Sequence, residues 1–222
     1  MADNIHITEY STEVFSDRTE AGQKLGEALK GYRLDDPLIL AIPRGGIIIG
    51  NEIAATLKAE LDITLSSKIG APGNPEFAIG AVSENGKVFM DTEFSSRLPK
   101  EQVEEAKRRK MDRLRQKSES FRKARPKAGI KNRDVVVVDD GLATGATMEA
   151  ALWSARQEEP ARLIAAVPVA SENALEKISE LADEVHCLRL PDMFMAVGQF
   201  YQDFMQTSDE EVLEILSRQQ KK

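Results

Sequence analysis

The chain is short of the residues that staple small folds or build metal cages. Its 222 residues hold one cysteine, Cys187, and two histidines, His6 and His186. A lone thiol excludes an intrachain disulfide, and the setting Val185-His186-Cys187-Leu188 reads as a strand in which Cys187 is a small buried hydrophobe, not a nucleophile. The two histidines stand at opposite ends of the sequence and do not suggest zinc. Aromatic residues make up only 5%. There is no run of about 20 apolar residues that would cross a membrane. The start, Met1-Ala2-Asp3-Asn4, lacks the basic-then-apolar order of a secretory signal, so the expected location is cytoplasmic. No internal repeat stands out. What is present, 41% apolar residues over this length, suits one α/β domain spanning 1–222 and burying roughly 70% of the surface of the unfolded chain.

Charge is unevenly placed. The whole chain carries −7, yet residues 107–133 hold 13 Lys/Arg against two acids, Asp112 and Glu119, a local +11 that leaves −18 for the rest. Pro99 to Arg125 has helix formers throughout, with Glu101, Glu104 and Glu105 early and cations at the end, the polarity favoured by the helix macrodipole. Val103, Ala106, Met111, Leu114 and Phe121 form only a thin apolar stripe. Such a helix packs loosely on the body, covers a site, or pairs two copies of the chain through an acidic surface. Its basic stripe over 107–125 is also the electrostatic footprint of a nucleic-acid binder, although a solvated helical face is the commoner origin and no aromatic platform interrupts this one.

The most informative stretch is Val135-Val136-Val137-Val138-Asp139-Asp140-Gly141-Leu142-Ala143-Thr144-Gly145-Ala146-Thr147. An unbroken β-branched run predicts a strand buried on both faces of a parallel sheet, which puts the two acids at its carboxyl end, where open α/β sheets bind ligands. The small-residue turn that follows supplies amides and hydroxyls for a phosphate at a helix N-terminus. Two adjacent carboxylates repel an anion and suit hydroxyl donors or a hydrated cation, so the pair and the turn together match the diol and phosphate of a ribose 5-phosphate.

This run resembles the 5-phosphoribosyl-1-diphosphate (PRPP) signature of type I phosphoribosyltransferases. The resemblance implies that Asp139 and Asp140 meet the ribose hydroxyls while Gly141, Leu142, Ala143, Thr144, Gly145, Ala146 and Thr147 wrap the 5-phosphate. A second apolar strand, Pro37 to Ile42, ends in Pro43-Arg44-Gly45-Gly46 and resembles the family's diphosphate loop. There Arg44 brings a fixed cationic fork, and Gly45 and Gly46 allow backbone amides close to an anion. In relatives a peptide of this loop is cis without a proline, and the expected position here is Arg44-Gly45. A third block, Ser67-Lys68-Ile69-Gly70-Ala71-Pro72-Gly73-Asn74-Pro75, reads as a loop at the end of a second strand from Leu61 to Ile69, with Lys68 as an anion contact. Together with Phe200-Tyr201-Gln202-Asp203-Phe204, these motifs resemble an uncharacterised branch of the family, over most of the chain.

The remaining pattern completes a doubly wound, Rossmann-like parallel sheet. Helices are expected at Asp17–Lys30, Ile47–Leu57, Ala146–Gln157 and Asn173–Leu181, and strands at Arg162–Ala170 and Glu184–Leu190. Phe77–Ser83 and Lys87–Met90, joined by Glu84-Asn85-Gly86, predict a β-hairpin. With the basic helix it forms an insertion between core strands 2 and 3, about residues 70–130, where type I relatives carry a mobile catalytic loop. Residues 191–222 form a C-terminal hood that concentrates aromatics and methionines. It reads either as core packing or as an acceptor wall using Phe200, Tyr201 and Asp203.

The resemblance implies transfer of a 5-phosphoribosyl group from PRPP to an unidentified small-molecule acceptor. Diphosphate leaves, Arg44, Lys68, Asp139 and Asp140 act at the reacting centre, and Mg2+ is held indirectly through PRPP, with Asp139 or Asp140 as its contact on the protein. Homodimerisation is compatible with this reading, and no membrane is involved. Position 143 is Ala where purine-salvage relatives carry an Asp that contacts the base, which argues against a hypoxanthine, guanine or xanthine acceptor. Gly141 replaces a more usual apolar residue and is expected to loosen the turn. The alternative is a non-catalytic sensor of PRPP or nucleotides that binds nucleic acid through 107–125; the cations at Arg44 and Lys68, which a sensor does not need, favour the transferase.

Overall fold

The computed structural model describes residues 1–90 and 96–219, with the side chains of 75–78 left aside. Its centre is a parallel sheet of β1 (Ile5–Glu9), β2 (Leu38–Ala41), β3 (Glu60–Ile63), β7 (Asp134–Val138), β8 (Arg162–Val169) and β9 (Glu184–Arg189), in the order β1-β9-β8-β7-β2-β3. A smaller antiparallel sheet holds β4 (Ser66–Ala71), β5 (Asn74–Ser83) and β6 (Val88–Met90). The helices are α1 (Arg18–Leu29), α2 (Gly46–Leu57), α3 (Lys100–Ala124), α4 (Ala146–Arg156), α5 (Glu172–Ser179) and α6 (Asp209–Arg218), with a 3-10 turn at Val197–Phe200.

The valine strand shows why both faces of the sheet are covered. Val136 and Val138 pack into the layer that contains Leu25, Ile49, Ile53 and Val212, whereas Val135 and Val137 pack into the layer of Met148, Leu152, Leu175 and Ile178. All four valines are fully buried. Each successive side chain feeds the opposite core, as the two-residue period of a strand requires. Helix starts are fixed locally: Asp17 accepts the Glu20 amide at 2.8 Å, and Ser208 and Glu211 cap each other's backbone at the start of α6.

One strand expectation needs correction. Leu61–Ile69 is not one strand: β3 belongs to the main sheet and β4 to the small one, with the break at Thr64-Leu65, where the Thr64 amide bonds back to Ala41 and the Leu65 carbonyl accepts from Glu84. The predicted hairpin is β5 and β6, the central strand and one edge of a three-stranded sheet whose other edge is β4. The edge strand β1 has no clear signal in the sequence, because Ile5-His6-Ile7-Thr8-Glu9 is too short and polar to read as a buried strand. Met111 is exposed and does not join the stripe of α3, whose buried contacts are Val103, Leu114 and Phe121.

From β2 the chain winds outward to β3, and from β7 it winds the other way through β8 to β9. The direction reverses between the adjacent strands β2 and β7, which opens a crevice at their carboxyl ends. The loops 42–45 and 139–145 both leave from that point.

Candidate functional site

At the end of β7 the loop 139–145 is pinned and then freed. The Leu142 amide bonds to Val169 and the Ser171 amide to Leu142, so the middle of the loop is stitched to the end of β8. Gly145 adopts φ +76°, a left-handed conformation that glycine takes without penalty, and α4 starts at the next residue. Asp139, Gly141, Leu142, Ala143, Thr144, Gly145, Ala146 and Thr147 line a cleft of about 170 Å³ in which Thr144 and Thr147 are exposed. First-turn amides, two hydroxyls and the positive end of a helix dipole therefore face one small space, which is the chemistry of a phosphate seat.

Gly141 does not loosen this turn. Its φ is not positive, and a Cβ built there would lie 2.7 Å from Val197 Cγ1 and 3.1 Å from Val169 Cγ1, so the glycine makes room for the 3-10 turn.

The acids are held by neighbours the sequence did not announce. Asp140 Oδ2 accepts from Arg18 Nε at 2.8 Å and lies 2.8 Å from a terminal guanidinium nitrogen. Arg18 is 8% exposed; it also donates to the Met205 carbonyl at 2.8 Å and stacks on the Phe204 ring at 3.9 Å. Asp139 Oδ1 accepts the Asp140 amide at 2.9 Å. Burial and the neighbouring Asp140 push the Asp139 carboxyl well above the usual carboxylate range. Asp140 is also raised by burial, with Arg18 opposing the rise. No sequence signal linked Arg18 to this pair, since it lies in the first turn of a helix remote in sequence.

The Arg44 loop meets the acids directly. A Cβ on Gly45 would fall 1.9 Å from Asp140 Oδ2, and one on Gly46 would fall 2.8 Å from the Val138 carbonyl oxygen. The anion that Gly45 admits in the structure is therefore the chain's own Asp140. The cis peptide bond joins Pro43 and Arg44, one residue before the expected Arg44-Gly45.

Arg44 is exposed, and its Nε lies 3.0 Å from Asp209 Oδ1 at the start of α6. With Arg18, Pro43, Gly45, Lys117, Phe204, Gln206 and Thr207 it surrounds a cleft of about 420 Å³. Lys117 comes from α3, and burial, with Arg44 nearby, pushes its ammonium down. Lys110, Arg113 and Lys117 follow i, i+3, i+7 spacing, so one face of α3 lies along the mouth; Lys110 and Arg113 line a second cleft with Gly70 and Gly73. That periodicity was visible in the sequence, but its orientation was not.

Lys68, on β4, is not among the residues around Arg44. It lines a cleft with Ala146, Glu149, Phe89 and Trp153. The predicted acceptor wall also shifts. Phe200 is 2% exposed and packs on Phe194 in the core, so it presents no surface. The Tyr201 hydroxyl donates to the Asp140 carbonyl at 2.6 Å, and burial followed by Asp140 keeps the phenol protonated. Asp203 is exposed, and its carboxylate accepts the Met205 amide. Phe204, Gln206 and Thr207 are the hood residues that reach the cleft.

A parallel sheet with an acid pair and a glycine- and threonine-bearing loop at its switch point defines a doubly wound α/β protein. Residues 13–204 match the family model described as phosphoribosyl transferase domain, and the chain belongs to that family, with the fold of the type I enzymes. A Mycobacterium tuberculosis protein provisionally named a phosphoribosyl transferase is 36% identical over 208 residues, 93% of this chain and 47% of its own, so this chain spans about half the length of the curated relatives it matches. The crystal structure of a Thermus thermophilus protein superposes with a TM-score of 0.87 at 46% identity, covering 92% of this chain and 98% of that one. A Neisseria gonorrhoeae protein crystallised with ppGpp shares the fold alone, at 14% identity and a TM-score of 0.51 over 96% and 98% of the two chains.

Proposed function

We propose that the protein transfers the 5-phosphoribosyl group of PRPP to a small-molecule acceptor and releases diphosphate. The observation that carries this reading is that one strand end offers a half-buried acid pair beside a loop and helix start suited to a phosphate, with the Arg44 loop against the acids. The 5-phosphate sits on the amides and hydroxyls of 141–147, and Asp139 and Asp140 receive the ribose hydroxyls. Arg44 and Lys117 face the diphosphate, whose bond to the anomeric carbon breaks as the acceptor's nucleophile attacks. Both cations stabilise the leaving charge as it develops on an oxocarbenium-like centre. Lys68 contributes a further anion contact from β4.

Among the described residues the two half-buried carboxyls of Asp139 and Asp140 share a single cation, Arg18, and this excess of acid fits a divalent cation brought in with the ligand. Mg2+, when bound, supplies charge neutralisation at the diphosphate oxygens. Binding energy gathered at the phosphate seat positions the reacting carbon, so the seat raises the rate as well as the affinity.

The test is calorimetry with PRPP and Mg2+, followed by diphosphate release against a panel of nucleobases and small amines. Binding with 1:1 stoichiometry and diphosphate release dependent on one acceptor are expected, and Asp140→Asn and Arg44→Ala each abolish turnover. No binding heat would end the proposal. Release of diphosphate without any acceptor would replace the transferase by a hydrolase.

A further inference from the structure

The sequence places His6 and His186 at opposite ends of the chain, and the fold brings them side by side. β1 and β9 are parallel neighbours, with His6 directly opposite His186 in their register. Glu184 lies two residues before His186 and so on the same face of β9. The imidazole rings are stacked, with centroids 4.8 Å apart and planes 18° from parallel. One ligand atom from each of His6, Glu184 and His186 can be chosen so that all lie within 4.8 Å of one another. This cluster stands on the outer edge of the sheet, whereas the phosphate seat leaves the carboxyl end of β7.

From this convergence we propose that His6, His186 and Glu184 form a binding site for a borderline transition-metal dication, with Zn2+ the best match, separate from the sugar-phosphate site. Two imidazole nitrogens and one carboxylate oxygen are a donor set that zinc accepts in three-ligand sites, leaving a fourth position for water. Donors about 2.0–2.1 Å from a tetrahedral metal lie about 3.3 Å from each other. His186 Nε2 and Glu184 Oε2 already stand 3.2 Å apart. His6, only partly buried, closes the remaining distance by turning its ring, while His186 is 5% exposed and fixed.

The surroundings hold the donors in place. The Tyr32 ring meets His186 edge-on at 4.2 Å and closes one side, and Arg162 donates to Glu184 Oε1 at 3.3 Å, which leaves Oε2 directed at the imidazole. Such outer contacts orient ligands in metal sites. Burial and the adjacent His6 keep His186 neutral near pH 7, the state in which imidazole binds a metal. Metal here would join the edge strand β1 to β9, its partner in the main sheet.

The proposal is tested on the untagged full chain, stripped with a chelator and titrated with Zn2+ against a chromogenic competitor. One equivalent is expected to bind in wild type, with affinity falling by more than about tenfold in His6→Asn and in Glu184→Gln. X-ray absorption of the loaded protein should show only nitrogen and oxygen neighbours, near 2.0–2.2 Å. His6→Asn alters a half-buried side chain, so circular dichroism and the PRPP affinity of this variant should equal wild type. Zinc binding unchanged in both variants, or no stoichiometric binding in wild type, would overturn the site. Because the readout is zinc affinity, its failure leaves the transferase reading untouched, and failure of PRPP binding leaves the zinc result untouched.

Discussion

Replacing Asp139 by Asn should make the ligand-free protein more stable at neutral and alkaline pH while removing its function. Asp139 follows the last residue of a fully buried strand, and burial together with Asp140 raises its carboxyl well above the ordinary value of 3.8. The folded state therefore holds this proton more readily than the unfolded chain does. Stability from the group is complete only below pH 3.8 and is lost as pH rises through the folded value. Each unit of elevation costs about 1.36 kcal/mol once the carboxyl ionises. Asparagine has nearly the same shape, keeps an Oδ1 to accept the Asp140 amide, and carries no charge. A gain of about 1–3 kcal/mol at pH 8 is expected, and at about 2–4 °C per kcal/mol for a domain of this size the melting temperature should rise by roughly 2–12 °C.

The assay is thermal unfolding of wild type and Asp139→Asn from pH 3.5 to 9, with and without PRPP and Mg2+. The gap should widen upward through the folded pKa and nearly close at pH 3.5. PRPP at about 100 times its dissociation constant should add about 2.7 kcal/mol to wild type and almost nothing to the variant. A variant less stable than wild type at pH 8, or a gap that ignores pH, would refute the reasoning. The site would then not be storing repulsion that the ligand relieves.

Gly45→Ala puts a methyl 1.9 Å from Asp140 Oδ2, so PRPP affinity should fall by more than about 100-fold by calorimetry, with about 1–3 kcal/mol of destabilisation in urea. Lys117→Met should weaken inorganic diphosphate binding by about fivefold and flatten its salt dependence, a modest effect because the ammonium is half-exposed; an unchanged dissociation constant would remove α3 from the site. Arg122→Met should cost about 3–5 kcal/mol in urea unfolding, because it leaves Asp62 buried without a cation and Glu84 with only the more distant Lys127.

The buried valine strand, the turn into the next helix and the acid pair were legible in the sequence because each depends on neighbours along the chain: β-branched run, strand end, turn, helix start. Arg18 was not legible, since it reaches Asp140 only after α1 folds across the sheet, and neither was the use of Gly45 to admit that carboxylate. Tyr201 shows the opposite failure. Its aromatic surroundings suggested a wall for a ligand, but its hydroxyl is committed to the Asp140 carbonyl and its ring to Phe15 and Phe204. Composition marks such residues as notable without saying which side of the surface they are on. Separation along the chain hides the histidine pair, a distance that parallel pairing of the first and last strands abolishes.

The charge asymmetry has a similar resolution. Glu84 accepts both Arg122 Nε and a terminal nitrogen, at 2.8 and 2.7 Å, while Asp62 takes the other terminal nitrogen at 2.7 Å. Arg125 and Arg133 share Glu60, and Lys127 and Lys131 pair with Glu158 and Glu159. Much of the basic stretch is thus the counter-charge of acids on the body, and Lys110, Arg113 and Lys117 line two clefts of the body. A nucleic-acid arm would instead present its cations outward along a phosphate backbone, and affinity would fall steeply with salt, by nearly one power per neutralised phosphate. With so many cations already paired, duplex or single-stranded nucleic acid should bind weakly, with a slope of about two or less between roughly 50 and 200 mM salt. A slope of about six or more would show that these ion pairs open to a polyanion and would return the basic helix to nucleic acid.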